Sequence, residues 1–561
     1  MIRLADYVAD FIYDHGVRCV FMLTGGGSIY LDDGLACHKG LKHICVRSEA
    51  TAPMMAEAYA RLLNKLGVAY VTTGPGGANA VSGVAEAWVD SAPILIVSGQ
   101  VRRDQTTYNA KIDGLRTLGV QELNIVRVVE SITKYAVMVN DPAQIRYHLE
   151  KAVWLATTGR PGPVWVDIPL DIQAAMIEEK KLKGFVPEER VDDRVEMDSK
   201  IDDVIDLLKS AKRPLVIAGQ GVRIDNVVDD FVRLVESLKI PVVFSRLGQD
   251  LLPFSHRNNF GHGGMKGCRL SNLILKESDL IIGLGSRLAI PFICPDRKLV
   301  AEDAKVIMVD IDQSELKKPG IEIHLPILKS VREFIEELSR RINKEALPEY
   351  LPWLETCGNY KKRYSFRESE YKRNPIDLYY FISRLDDLSE EGDVFVSDAG
   401  SSYYATGQVL RFEKKQREIT SGAFASMGLA VPLAIGCAAA DSDKRVLAIT
   451  GDGSLELNIQ ELKTLSYHKM NIKVFVINNG GYASIRNTQE DLFDGRYIGS
   501  DQFGSNELLD FKKVAAVFDL PYFLIQKYEE TDEKIREVIS RKGPAFVEVV
   551  CDNSQKIIDP L

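Results

Sequence analysis

Paired cysteines are missing from this chain. Its eight cysteines stand singly, at positions 19, 37, 45, 268, 294, 357, 437 and 551, and no CxxC occurs. That pattern argues against a zinc site or a disulfide framework and favours a reducing compartment. Long apolar runs are missing as well: none approaches the roughly 18–20 residues that span a bilayer. Neither sign of charge dominates, with 70 Lys and Arg against 79 Asp and Glu and a formal net charge of −9. Such a balance gives no support for nucleic acid or an anionic membrane surface as the main partner. Low-complexity tracts and short-period repeats are absent. The first residues, MIRLADYVADFIYDHG, carry acids where a signal peptide is apolar, and Ile2, Leu4, Val8, Phe11 and Ile12 recur at helical spacing. The expectation is a cytoplasmic, water-soluble chain.

What is present is alternation. A chain of 561 residues is too long for one core, and its length suggests about three or four domains. Two charged stretches, Glu178 to Lys200 and Asn343 to Pro375, break the periodic pattern and read as structure-poor dividers. Around them lie three blocks in which apolar runs alternate with helical segments. The first holds VAYVTTG, ANAVSGVAEAWVDS and PILIVSG; the second RPLVIAGQG, IPVVFS, LIIGLGS and KVIMVDID; the third DVFVSDAG, RVLAITGDG, IKVFVINN and AFVEVV. Repeated strand–helix–strand units predict an α/β fold with three doubly wound parallel-sheet domains, over residues 1–175, 190–345 and 370–561.

The most informative segment is Arg445 to Asn479. One apolar run ends in Gly451-Asp452-Gly453, a helical segment follows, and a second run ends in Asn478-Asn479. In a parallel βαβ unit both endings reach the carboxyl edge of the sheet. A carboxylate, an amide oxygen and a glycine-rich backbone there suit Mg2+ holding a diphosphate, since magnesium takes few protein oxygens. Helix N–H groups after Gly453 would meet the phosphate charge. The alternative is a pair of ordinary turns, because Gly, Asp and Asn are common at strand ends.

GDGS followed by NN about 25 residues later resembles the thiamine diphosphate signature. RSEATAPMMAEAYAR (47–61), TGPGGANAVSGVAEAWVDSAPILIVSGQV (73–101), GRPGPVWVDIPLD (159–171) and ITSGAFASMGLAVPLAIG (419–436) are similar to segments of the acetolactate synthase family, in the same order along nearly the whole chain. The resemblance implies a pyrimidine-binding first domain, a middle domain of nucleotide fold and a diphosphate-binding third domain. It implies thiamine diphosphate and Mg2+ as cofactors, with Asp452, Asn479 and the Gly481 carbonyl as metal ligands. Glu49 matches the glutamate that hydrogen-bonds N1′ of the aminopyrimidine and so favours removal of the C2 proton by the neighbouring nitrogen. Gly25, Gly26, Pro75, Asn79, Gln100, Met427, Gly451, Gly453, Ser454 and Tyr482 fall at cofactor-contacting positions, Met427 where an apolar residue props the cofactor. Gln121 matches a glutamine near the reacting carbon; Gln100 and Gln121 read equally as satisfied loop amides. In the middle block, Gly219, Gly221, Gly285, Arg287 and Asp310 sit where the family binds the ADP portion of FAD. There the family's longer loop after Arg287 is replaced by LAIPFICPD and its histidine by Lys266, leaving FAD and a differently used nucleotide fold both open.

Departures cluster where the family shapes its acceptor pocket. Ser48 precedes Glu49 where histidine is usual, Val120 replaces phenylalanine and Leu170 replaces lysine. Aligned without gaps, Ser484 and Thr488 replace a Met and a Trp beside Ile485. Loss of bulk suggests an acceptor larger than pyruvate, because one methylene is worth only about 1–3 kcal/mol of discrimination. The expected reaction is decarboxylation of a 2-oxo acid, pyruvate first, and addition of the acyl unit to a carbonyl acceptor such as a keto-sugar. The rivals are a true acetolactate synthase of branched-chain amino acid synthesis, a simple 2-oxo acid decarboxylase and a non-catalytic subunit. The resemblance further implies a homodimer or homotetramer with active sites at the subunit interface.

Overall fold

Apolar and β-branched runs build three six-stranded sheets in the structure, a computed structural model that describes residues 1–187, 194–295, 299–501 and 507–560. The expected first residue of the middle domain, 190, and the chain's last, 561, lie outside the described residues, as does Asp296 of the loop after Arg287. The first sheet contains β1 (Cys19–Met22), β2 (Lys42–Cys45), β3 (Gly67–Val71), β4 (Ile94–Gln100), β5 (Tyr135–Met138) and β6 (Val164–Pro169), all parallel in the order β2-β1-β3-β4-β6-β5. The second holds β7 (Pro214–Ala218), β8 (Val242–Phe244), β9 (Asn259–His262), β10 (Leu280–Leu284), β11 (Lys305–Asp310) and β12 (Leu325–Leu328), parallel in the order β9-β8-β7-β10-β11-β12. In the third, β13 (Val394–Ser397), β14 (Arg417–Ile419), β15 (Val446–Gly451), β16 (Ile472–Asn478), β17 (Tyr522–Ile525) and β18 (Ala545–Val550) follow the order β14-β13-β15-β16-β18-β17.

The first and third sheets therefore share one strand order. The second has the 3-2-1-4-5-6 order of dinucleotide-binding folds. Central strands such as β3 and β4 are buried at every residue, as expected of parallel sheets covered on both faces. The sequence named two, four and four strands in the three blocks; each sheet has six. Those overlooked include short edge strands with few buried residues: β2 buries only Ile44 of its four residues, and β12 only Ile327.

Helix α1 (Leu4–Asp14) buries Leu4, Val8, Phe11 and Ile12 on one stripe, as its periodicity predicts. Helices α2 (Thr51–Leu63) and α3 (Pro75–Val89) flank the first sheet. The stretch from Asn343 to Pro375 is not structure-poor: it contains α4 (Leu351–Tyr364), which buries Trp353, Leu354 and Cys357. Trp353 Nε1 donates to the Pro214 carbonyl at 3.1 Å, so the helix packs on the middle sheet. Its apolar positions are hidden in sequence by the basic run that closes it. The first divider likewise contains the start of a helix, Arg194–Ser210.

Helix α5 (Ala430–Ala440) of the third domain lies against α2, and one hydrophobic core runs through both domains. Small residues permit the approach; a Cβ on Gly436 would stand 2.2 Å from the Met55 carbonyl oxygen. Arg61, Glu57 and Asp90 form a buried ionic cluster beside this contact, and Asp90 accepts from Gly422 N of the third domain at 2.7 Å. Arg246 and Asp250 of the middle domain pair with Glu418 and Arg417 on β14. No helix among the described residues is long and apolar enough to cross a membrane.

Candidate active site

The register Gly451↔Ile477 places the ends of β15 and β16 side by side. Asp452, first residue of α6 (Asp452–Leu455), is 1% exposed. Its Oδ2 accepts from Asn479 N and Gly481 N, each at 3.0 Å, and Oδ1 from Gly453 N at 2.7 Å. Burial pushes this carboxyl up to about 6, against the opposing pull of the three amide donors. Gly481 has φ +111°, a conformation that glycine alone adopts without strain. Gly453 lies so near Tyr482 that a Cβ would meet its ring at 2.3 Å.

From α8 (Ala483–Phe493), buried Arg486 reaches back to the Asn479 and Gly480 carbonyls, both at 2.7 Å. The Asn479 side chain makes no hydrogen bond among the described residues, and the Gly481 carbonyl accepts only from Ala483 N. One carboxylate, one uncommitted amide and one main-chain carbonyl are thus held on adjoining turns, a donor set of the kind magnesium takes. Among the described residues no cluster of three or more His, Cys, Asp or Glu could hold a metal. Ser454 is committed elsewhere: its hydroxyl donates to Asp398 at 2.7 Å and accepts from Gly428 N at 2.8 Å. Together with Asn458, which donates to the Gly428 carbonyl, it hangs the half-exposed Met427 beside α6.

Glu49 lies in the turn between β2 and α2. Its Oε2 accepts from Asn79 Nδ2 at 3.1 Å, and its Oε1 lies 3.5 Å from where a Cβ on Gly76 would stand. Pro75 opens α3, so Glu49, Pro75 and Asn79 are brought together by the start of one helix. Gly74, at φ +53°, packs so tightly under the Gln121 carbonyl that a Cβ would stand 1.8 Å from its oxygen, which lays the Val120-Gln121 loop over this turn. Val120 is 81% exposed there. Gly25 packs against Thr72, Gly26 borders open space, and Asp32 gathers Thr24, Ser28 and Gly25 N around one oxygen. Gln100 is buried, with Thr73, Val101 N, Leu123 O and Asp167 as partners, the geometry of a satisfied amide.

Ser484 and Thr488 share a face of α8, with Ile485 half exposed between them. Burial raises the pKa of the Tyr404 hydroxyl, and Ser484 lies close enough to oppose that rise, a proximity no sequence pattern announced. No hydrogen bond joins Val120 or Gln121 to these residues among the described ones. In the middle domain, Gly219 and Gly221 close on Gly285 at the switch point between β7 and β10, with Gly221 N donating to the Gly285 carbonyl at 3.1 Å. A cleft of about 400 Å³ opens there, lined by Gly221, Gly285, Arg287, Asp310, Lys266 and Tyr404. Asp312 pairs at 3.0 Å with Arg160, which also lines the cleft.

Sequence reasoning overlooked Asp398, Asp32 and Arg486. Asp398 had a signal, an acid at the end of the strand in DVFVSDAG; the others are ordinary residues until the fold turns them inward.

Three family models match successive parts of the chain. They are the N-terminal TPP binding domain of thiamine pyrophosphate enzymes over residues 2–126, the central domain over 201–338 and the C-terminal TPP binding domain over 398–549. The chain belongs to the thiamine pyrophosphate enzyme family. Acetolactate synthase large subunits are among its relatives. That of Lactococcus lactis subsp. lactis is 30% identical over 99% of this chain and 93% of its own length, and isozyme 3 of Escherichia coli (strain K12) is 30% identical over 99% and 96%. Isozyme 1 of the same strain is 28% identical over 99% and 94%. The protein is an acetolactate synthase-like enzyme of that family.

Proposed function

We propose that this enzyme uses thiamine diphosphate and Mg2+ to decarboxylate a 2-oxo acid, pyruvate first, and joins the acyl unit to a carbonyl acceptor larger than pyruvate, such as a keto-sugar. When bound, the cofactor would supply an acidic carbon whose deprotonated form is a nucleophile toward carbonyl carbon and a sink for the charge left by decarboxylation. Asp452, Asn479 and the Gly481 carbonyl would hold the metal, with the start of α6 facing the diphosphate. Glu49, steadied by Asn79, would hold the proton at N1′. The domain limits taken for this reading are 1–175, 190–345 and 370–561.

The observation that carries the acceptor is the small-residue face of half-buried Ser484 and exposed Thr488 on α8, directly after the clamp, with Tyr404 near Ser484. Hydroxyls there suit a hydroxylated acceptor, whereas a tight apolar wall suits a second pyruvate. Open apolar side chains around both half-sites, among them Ile29, Val120, Phe424, Met427 and Ile485, support a second copy covering them. Glu49 of one chain would then act beside Asp452 of another, in a homodimer or homotetramer. The middle cleft, at the switch point of a dinucleotide-type sheet, supports a nucleotide portion of FAD.

The test offers pyruvate, thiamine diphosphate and Mg2+ with a panel of carbonyl acceptors, products being read by mass. Adducts of ketoses or keto-sugars should exceed acetolactate. Acetolactate as the sole product, formed with larger acceptors ignored, sinks the reading. Heat-released cofactor from the same preparation tests the flavin: a yellow supernatant with a flavin spectrum is expected.

A further inference from the structure

Helix α2 begins at Thr51, immediately after the turn that carries Glu49, and no side chain of its own N-cap residue satisfies that end. Thr51 N and Ala52 N donate to the Ser48 and Glu49 carbonyls at 3.1 and 3.3 Å, while Arg47 N before the turn and the Thr51 hydroxyl after it are met from the third domain. Glu461 opens helix α7 (Glu461–Tyr467), nine positions after Asp452, and is fully buried. Its Oε1 accepts from Arg47 N at 2.8 Å and from Thr51 Oγ1 at 2.9 Å; its Oε2 accepts from Thr464 Oγ1 at 2.7 Å. The Thr51 hydroxyl shares its proton with the Ser48 carbonyl at 2.7 Å. One carboxylate therefore grips both shoulders of the Glu49 turn, Arg47 before it and Thr51 after it.

Bonds to an ionised acceptor are shorter and stronger than neutral ones, and a carboxylate at a helix start is favoured by the dipole. Between Asp452 and Glu461 the chain is continuous helix and tight turn, and Leu455 and Ile459 along it, with Leu462 and Leu465 of α7, pack into the core that α5 shares with the first domain. A shift of the clamp therefore displaces the Glu461 carboxylate, and the Glu49 turn with it.

We propose that Glu461 is a positioning residue: it sets the aim of Glu49 and ties the diphosphate clamp of a chain to the activating glutamate of the same chain. The second half rests on the reading under Proposed function. With the cofactor shared between copies, the clamp and Glu49 of one chain serve different cofactors. Glu461 is then the link through which one active site acts on its neighbour.

Two readouts test this. Deuterium exchange at C2 of bound thiamine diphosphate, quenched in acid and read by NMR, reports on Glu49 without turnover. Amide exchange at Arg47 and over residues 45–52 of the cofactor-free chain reports on the turn alone. Glu461→Ala removes the grip and Glu461→Asp withdraws it by one methylene. Both should slow C2 exchange about 10–100-fold, the scale of a 1 Å misplacement. Both should quicken amide exchange at Arg47 about tenfold or more, while KM for the 2-oxo acid moves less than about threefold. Glu461→Gln keeps an acceptor oxygen in reach and should bring C2 exchange to within about threefold of the native chain. C2 exchange at the native rate in the Asp variant, or a Gln variant as slow as the Asp one, overturns the inference. If the Ala variant does not fold, the Asp and Gln pair decides alone. A native chain that retains no thiamine diphosphate refutes the proposed function instead, and amide exchange in the cofactor-free chain still decides whether Glu461 holds the turn.

Discussion

Arg486 shows at the scale of one residue how a site depends on groups that touch no ligand. Its guanidinium ties the Asn479 and Gly480 carbonyls to α8, fixing the loop from which one amide and one carbonyl are offered. Replacement by methionine keeps the volume and removes the donors. Outer partners of this kind are worth about 10–100-fold in metal affinity, and Arg486→Met should weaken Mg2+-dependent binding of thiamine diphosphate by that factor, measured by fluorescence titration. A second prediction concerns Asp167, buried beneath Gln100 and Ser98. Burial pushes its carboxyl up to about 7. A pKa raised by folding gives stability that is full below the unfolded value and is lost as pH rises through the folded one. The native chain should lose up to about 1.4 kcal/mol per pH unit from this group between about pH 4 and 7. Asp167→Asn should flatten that part of the curve in denaturant melts, and an unchanged slope refutes the assignment.

Among elements, the contact of α2 with α5 shows how two domains come to share a core. Both helices present alanine and glycine where they meet, so their backbones approach closely. A methyl at Gly436 has no room, and overpacking of this kind costs about 1–3 kcal/mol. Gly436→Ala should destabilise the chain by that amount in urea, and a neutral result would mean the helices sit farther apart than described. Legibility in the sequence also sorts by element. The central strands β3, β4, β15 and β16 are near-continuous apolar runs and are readable directly. Edge strand β2 is half polar, edge strand β12 is only four residues long with Pro326 inside it, and helix α4 closes on a basic run after its buried Trp353, so period and composition mislead there. The meeting of Asp452 with the Asn479 turn is legible because a βαβ unit fixes where two successive strand ends go. The approach of Glu461 to Arg47 is not, since 414 residues separate them and only the packing of two domains brings them together.

For the whole molecule, the three sheets divide the work. The first and third share a strand order and carry the two half-sites; the second has the dinucleotide order and a cleft at its switch point. Within one chain Glu49 makes no hydrogen bond to Asp452 or Asn479 among the described residues, and apolar side chains around both half-sites remain open. On the proposed reading two copies complete one site. Mixing chains tests it most directly. Glu49→Gln and Asp452→Asn chains, each inactive alone, are unfolded together and refolded as hybrids. In a hybrid dimer one site receives both lesions and the other receives none. Random pairing makes half the dimers hybrids, so the mixture should regain about a quarter of the native activity. Activity that stays at the level of the separate variants, with hybrids proven by mass, would contradict a site built from Glu49 of one chain and Asp452 of another.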